Sequence, residues 1–225
     1  MVDIFIINLS DEFLSINTYI EYISLERRVQ ISKYKKSIDK KRSLLTELLL
    51  KKIINEKTSI PIEKISFMAN QYGKPYLENV SKLKFNASHS GIYITVATSN
   101  SSVGVDIEEI KEINYQISKR CFTQKEHDYL MSFDEQGRLN EFYKIWTLKE
   151  SYIKNVGKGL SIPLNSFEFD LDKFPAVNIK NSRFKFFSIK LNNYFLSVCS
   201  IEKRINLKIN VISEKDILEF YNNLS

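Results

Sequence analysis

The sequence predicts an α+β protein of two halves, and three observations predict it. Three stretches repeat apolar residues at helical spacing. Several short apolar or alternating runs, bounded by turn residues, read as strands, and a polar SNSS stretch at residues 99–102 makes a seam between residues 1–102 and 103–225. With 225 residues, 43% hydrophobic, the chain can bury one large core or two cores of about 100 residues each.

The elements follow in order. The opening VDIFIINL reads as a strand; it lacks the basic flank and cleavage site of a signal peptide, and no later run approaches the ~18 apolar residues of a membrane span. The expectation is a soluble cytoplasmic protein. Helical periodicity covers residues 11–29 and again residues 40–55, where Leu44, Leu45, Leu48, Leu49 and Ile53 form a stripe that leaves out Lys51 and Lys52. The turn-like NQYGKPY and the FNASHSG segment read as loop, IYITVA as strand, SNSS as turn and VGVDIEEI as strand. A third helix is expected over residues 139–156, with RFKFFSIK and YFLSVCS as later strands. Cys121 and Cys199 lack metal-ligand spacing and are expected to be buried, reduced and structural.

Charge is uneven along the chain. Residues 27–57 carry eleven Lys or Arg against Asp39, Glu47 and Glu56, a larger excess than the +6 of the whole chain. Such a segment suits nucleic acid, an anionic membrane, a phosphorylated small molecule or an acidic protein, or is a solvated helix face.

Asp106 and Glu108 lie two apart on a predicted strand and so share a face. Oxygen ligands without nearby His or Cys make a half-site for Mg²⁺ or Mn²⁺ rather than zinc; the plainer alternative is two solvent-facing acids on an edge strand. In WTLKESYIK, helical geometry places Phe142, Ile145, Trp146, Ile153 and Val156 on a core side and Tyr143, Thr147, Glu150 and Lys154 on an adjacent face. Glu150 and Lys154, four apart, fit either an active-site acid and base or a helix ion pair. Ser88, His89 and Ser90 offer phosphate donors beside Gly91, and Lys74 is a cation in a Gly-Lys-Pro turn.

Together these pieces resemble the surfactin-synthetase-activating type of 4′-phosphopantetheinyl transferase. The resemblance runs through GKP at 73–75, FNASHS at 85–90, VGVDIE at 103–108, WTLKESYIK at 146–154 and GKGL at 157–160, and spans nearly the whole chain. It implies two similar halves related by a pseudo-twofold axis, with coenzyme A in the cleft between them. It implies Asp106, Glu108 and Glu150 as Mg²⁺ ligands. Arg27, Arg42, Ser43, Tyr72, Gly73, Lys74, Ser88, His89 and Lys154 are then the coenzyme-binding positions, and Gln30 stands where relatives can have a cation for the 3′-phosphate.

The implied reaction is attack of a carrier-protein serine on the β-phosphate of coenzyme A, releasing adenosine 3′,5′-bisphosphate. Lys154 and His89 would offset the developing charge, and Glu150, metal-bound water or Glu126 would take the serine proton. The expected partner is an apo acyl or peptidyl carrier of nonribosomal peptide, polyketide or fatty-acid synthesis. No nucleic acid or membrane is expected, and the chain is expected to be monomeric. Two rivals stand beside this reading. Asp106, Glu109 and Lys111 spell the D-x-x-E-x-K of a metal nuclease, and the basic segment alone would suit a binding module without chemistry.

Overall fold

The computed structural model describes all residues except 13, 79, 81, 172–178, 180–182, 203–206 and 225. The first half runs β1 (Val2–Asn8), α1 (Ile16–Tyr19), α2 (Leu25–Lys33), α3 (Ser37–Thr58), β2 (Phe67–Ala69), β3 (Pro75–Leu77), β4 (Lys84–Ser90) and β5 (Tyr93–Ser99). The second runs β6 (Val103–Glu109), α4 (Gln116–Cys121), α5 (Gln124–Met131), α6 (Glu135–Val156), β7 (Lys185–Leu191), β8 (Tyr194–Ser200), β9 (Leu207–Ile212) and α7 (Glu214–Asn222). Among the described residues no helix is long and apolar enough to cross a membrane.

The halves repeat one topology. Strand order β4-β5-β1 in the first matches β7-β8-β6 in the second, all antiparallel, and each half carries one 22-residue helix, α3 or α6. Apolar residues settle in three cores. Leu44, Leu45, Leu48, Leu49 and Ile53 of α3 pack with Phe85, Ile94 and Val96; Phe142, Ile145 and Leu148 of α6 pack with Phe186, Phe195 and Cys199. Between them, Val2, Ile4 and Ile6 meet Val103, Val105, Ile107, Leu196 and Val198. The layers are therefore helix, sheet, sheet, helix.

Each half's first strand needs a cover for its other edge, because unpaired backbone donors are costly when buried. For β1 the cover is β9, which pairs with it in parallel, and α7 packs on α3. Residues 207–222, expected with the second half, thus lie on the first. For β6 the cover is a row of side chains: Val105 N donates to Asn86 Oδ1 at 2.8 Å, Ile107 N to Ser88 Oγ at 3.4 Å and Glu109 N to Ser90 Oγ at 3.1 Å. Three alternate residues of β4 therefore take up three alternate amides of β6 and join the two sheets.

This corrects the expected FNASHSG loop. Its Asn, Ser and Gly content reads as turn chemistry, but residues 84–90 pair in full register with β5, and the small polar side chains serve the β6 edge. The expected helix over residues 11–29 is also broken. Ser24 caps α2 by accepting Arg27 N at 3.3 Å, while buried Glu47 accepts both Ser24 N and Ser24 Oγ. Helix α6 is enclosed on nearly all sides, so Lys149 and Ser151 are buried while Trp146 and Val156, expected in the core, are half-buried. Cys121 is likewise only half-buried; both cysteines are free.

Candidate functional site

The site forms where β6 lies against α6. Gly104, Asp106 and Glu108 share the strand face that meets the helix, and Gly104 lets the two approach closely. A Cβ there would come 2.0 Å from Ser151 O and 2.4 Å from Asn155 N, so any larger residue would force strand and helix apart.

Asp106 is the centre of the cluster and only 2% exposed. Its Oδ1 accepts from Lys154 Nζ at 2.6 Å and Ser88 Oγ at 2.9 Å, and Lys154 Nζ also donates to Ser88 Oγ at 2.9 Å. Lys154 therefore crosses to the strand instead of forming the helix ion pair with Glu150 that the i, i+4 spacing allowed. Asp106 Oδ2 is buried with no hydrogen-bond partner. Glu108 accepts from Ser90 Oγ at 2.8 Å, and burial, then Asp106, raises its pKa to about 7. Burial and then Asp106 also raise Glu150, against the opposing charge of Lys154.

These carboxylates fit a hard divalent cation. One buried oxygen lacks a partner, and two neighbouring carboxyls are held above their ordinary range in part by like charge, both of which a cation would relieve. Among the described residues no three His, Cys, Asp or Glu are gathered closely enough to hold an ion by themselves.

The positions expected to bind the coenzyme divide into two groups. Tyr72, Gly73 and Lys74 border a cavity of about 320 Å³ with Glu150, Lys154 and Gly157. Lys74 directs its ammonium at backbone, donating to Asn155 O at 2.9 Å and Val103 O at 3.3 Å, and burial lowers its pKa to about 8. On the other side of β4, strand alternation turns His89 away from Ser88. His89 is exposed by area but closely surrounded, and this desolvation, followed by the Arg42 charge, lowers its pKa to about 4. Arg42 pairs with Asp39 and donates to Gly91 O, while its buried Nε has no partner. Arg27 pairs with Glu47 at 3.1 Å and donates to Gln30 Oε1 and to the buried Ser43 Oγ. Ser43 thus steadies Arg27, and Gln30 is drawn into the same cluster.

Beyond Glu108 a second cavity of about 620 Å³ is lined mainly by Ile113, Ile117, Phe142, Tyr143 and Trp146. The carboxylates therefore stand between two openings, one flanked by lysines and one apolar.

Two expectations change. Glu126, one of the groups expected to take the serine proton, is 1% exposed, caps its own helix and pairs with the fully buried Lys149 at 2.7 Å. Removing one member of such a pair costs about 3–5 kcal/mol, because the other charge is left buried and alone. The D-x-x-E-x-K reading also fails, since Glu109 lies on the strand face opposite Asp106 and pairs with exposed Lys111 at 2.7 Å.

Sequence reasoning missed Gly104, Asn86 and Lys149. The first stands in the quoted VGVDIE string and the last in WTLKE, but their roles depend on contacts with distant segments.

Comparison with known proteins agrees with this geometry. The family model described as "4'-phosphopantetheinyl transferase, N-terminal" matches residues 10–101, and that of the "4'-phosphopantetheinyl transferase superfamily" matches residues 102–199. The 4′-phosphopantetheinyl transferase gsp of Aneurinibacillus migulanus is 35% identical over 214 residues, covering 93% of this chain and 87% of that one. The 4′-phosphopantetheinyl transferase Sfp of Bacillus subtilis is 35% identical over 162 residues, 72% of each chain. With family models matching residues 10–199 and relatives covering most of its length, this chain belongs to the 4′-phosphopantetheinyl transferase superfamily.

Proposed function

We propose that the chain transfers the phosphopantetheine arm of coenzyme A to a serine hydroxyl of an apo acyl or peptidyl carrier protein, releasing adenosine 3′,5′-bisphosphate. The observation that carries this reading is the buried Asp106, bonded through one oxygen to Lys154 and Ser88 and unpartnered at the other, with Glu108 lining one cavity and Glu150 and Lys154 the other.

Asp106, Glu108 and Glu150 would hold Mg²⁺ or Mn²⁺, which when bound supplies positive charge to the pyrophosphate oxygens. Lys154 Nζ, held beside Ser88 Oγ and Asp106, donates to a phosphate oxygen as negative charge grows on the leaving bisphosphate. Of the two carboxylates considered for the serine proton, Glu150 stands at the cavity while Glu126 is enclosed. The serine oxygen then bonds to the β-phosphorus as the bond to the bisphosphate breaks. One chain supplies both walls of the cleft, so the working unit is taken as a monomer. The site asks for a phosphorylated small molecule and a carrier serine, not nucleic acid.

The test is incubation with coenzyme A, Mg²⁺ and a set of generic apo-carrier proteins, followed by intact mass. A gain of one phosphopantetheine on the carrier serine is expected. Folded protein that adds no mass to any carrier would overturn the reading.

Arg27 and Arg42 are assigned to the 3′-phosphate, as the cations of the basic segment beside His89. A charge-assisted hydrogen bond contributes about 1.5–3 kcal/mol. Arg27→Gln or Arg42→Gln is therefore expected to weaken use of coenzyme A about tenfold or more, and use of dephospho-coenzyme A much less. Steady-state kinetics with both substrates check this, and equal losses would reassign the arginines to a structural role.

A further inference from the structure

Among the described residues the most enclosed charges lie beside the site but outside the chemistry derived so far. Lys149 precedes Glu150 on α6, yet its ammonium points away from the carboxylates and is 0% exposed. All three of its donors are used: Leu164 O at 2.8 Å, Phe167 O at 2.8 Å and Glu126 Oε2 at 2.7 Å. Rings of Phe122, Phe167 and Phe169 surround it. Glu126 is equally committed, since Oε2 also accepts Thr123 N at 2.9 Å and Oε1 accepts Phe169 N at 3.0 Å. The couple therefore ties α6 to the start of α5 and to residues 164–169.

That tied segment leads back to the site. The chain leaves α6 at Gly157, whose φ of +76° turns it sharply, and Gly157 and Gly159 line the same cavity as Glu150 and Lys154. Holding residues 164–169 against Lys149 thus fixes both the rotation of α6 about its axis and one wall of the cavity.

We propose that Lys149 and Glu126 act together as positioning residues, setting where Glu150 and the 157–169 segment stand, and that neither exchanges a proton with substrate. The proposal rests on the reading that Glu150 acts in the transfer. A misplacement of about 1 Å can cost about 100-fold in rate, so a couple one residue from Glu150 reaches the reaction without touching it.

The experiment is a double-mutant cycle of Glu126→Gln, Lys149→Met and their combination, with single-turnover transfer measured per folded molecule. Measurements are made well below each melting temperature, and amide exchange over residues 159–169 is followed in parallel. Both single variants are expected to lose about tenfold or more in turnover. The combination is expected to be no worse than the poorer single, because each removes the same tie. Exchange in the tied segment should accelerate in all three. Near-normal turnover of Lys149→Met beside a disabled Glu126→Gln would overturn the proposal in favour of Glu126 as the base. Normal turnover in both singles would reduce the couple to a stability element, and losses that multiply in the combination would separate the two residues. Should Lys149→Met not fold, Glu126→Gln still decides, since unchanged turnover or unchanged exchange in it is incompatible with a positioning tie. Wild-type protein that transfers nothing would sink the functional reading, while the exchange measurement would still test whether the couple fixes the segment.

Discussion

Asp106→Ala is expected to reduce transfer by about 10³-fold or more while leaving the protein folded, with Glu150→Ala close behind. Removing a single preorganised charge-stabilising donor can cost about 10²–10³-fold, and Asp106 both holds Lys154 and presents the unpartnered oxygen assigned to the cation. Stability should respond in the opposite spirit. Asp106 accepts hydrogen bonds from Ser88 and Lys154 that hold the fold, but it also raises Glu108 and Glu150, so its loss relieves part of what it stabilised.

The sign can be followed in Glu108. A carboxyl raised from 4.5 to about 7 on folding keeps its proton in the native state while the unfolded chain has released it, so native stability falls as pH rises through that window. Glu108→Gln should therefore melt higher than wild type above about pH 7 with no added metal, and Mg²⁺ should narrow the gap by stabilising wild type more. Asp106→Asn separates charge from shape, being expected to fold as well as wild type yet transfer as poorly as the alanine variant. Single-turnover kinetics and thermal melts with and without Mg²⁺ decide it. Near-normal turnover of Asp106→Ala or Glu150→Ala at ordinary Mg²⁺ would remove the proposed ligand set.

The parts of the site legible in the sequence are those that one element sets by its own period. Asp106 and Glu108 share a face because strands alternate, and Glu150 and Lys154 share a line because helices repeat at 3.6 residues. Helices α3 and α6 were readable for the same reason. What the sequence left open depends on contacts between distant segments. Whether Lys154 pairs with Glu150 or with Asp106 is decided by how closely α6 approaches β6, and that approach depends on Gly104 meeting the α6 backbone. Glu126 read as a candidate base because its partner Lys149 lies 23 residues away on another helix. FNASHS read as a loop because Asn86, Ser88 and Ser90 resemble turn residues until the β6 amides they satisfy are in view. The same alternation that joined the carboxylates divided Ser88 from His89, which sequence adjacency had grouped as one phosphate-binding pair.

Lys154→Ala separates a catalytic cation from a merely structural one, and the geometry changes what it is expected to cost. An exposed helix ion pair would contribute only about 0.3–0.5 kcal/mol. Here the partner is Asp106, only 2% exposed, so deleting Lys154 leaves a buried carboxylate with Ser88 as its remaining donor. A loss of about 1–3 kcal/mol in stability is expected, enough to see in a melt but not to unfold the chain. The larger effect belongs to the transition state. Charge grows on the leaving bisphosphate only as its bond to phosphorus breaks, so a cation fixed beside that position lowers the barrier more than it tightens coenzyme binding. Turnover is expected to fall about 100-fold, with coenzyme A affinity weakened by less. Lys154→Arg restores charge but replaces a compact ammonium with a planar fork in a space shared with Ser88 and Asp106, so recovery should be partial. Lys154→Met keeps the length of the stem without charge and should match alanine in rate while packing better than it. Single-turnover transfer at saturating coenzyme A, Mg²⁺ and apo-carrier, beside calorimetric coenzyme binding, measures each quantity separately. A rate within about threefold of wild type for the alanine variant would make Lys154 a structural partner of Asp106 and leave charge stabilisation to the cation.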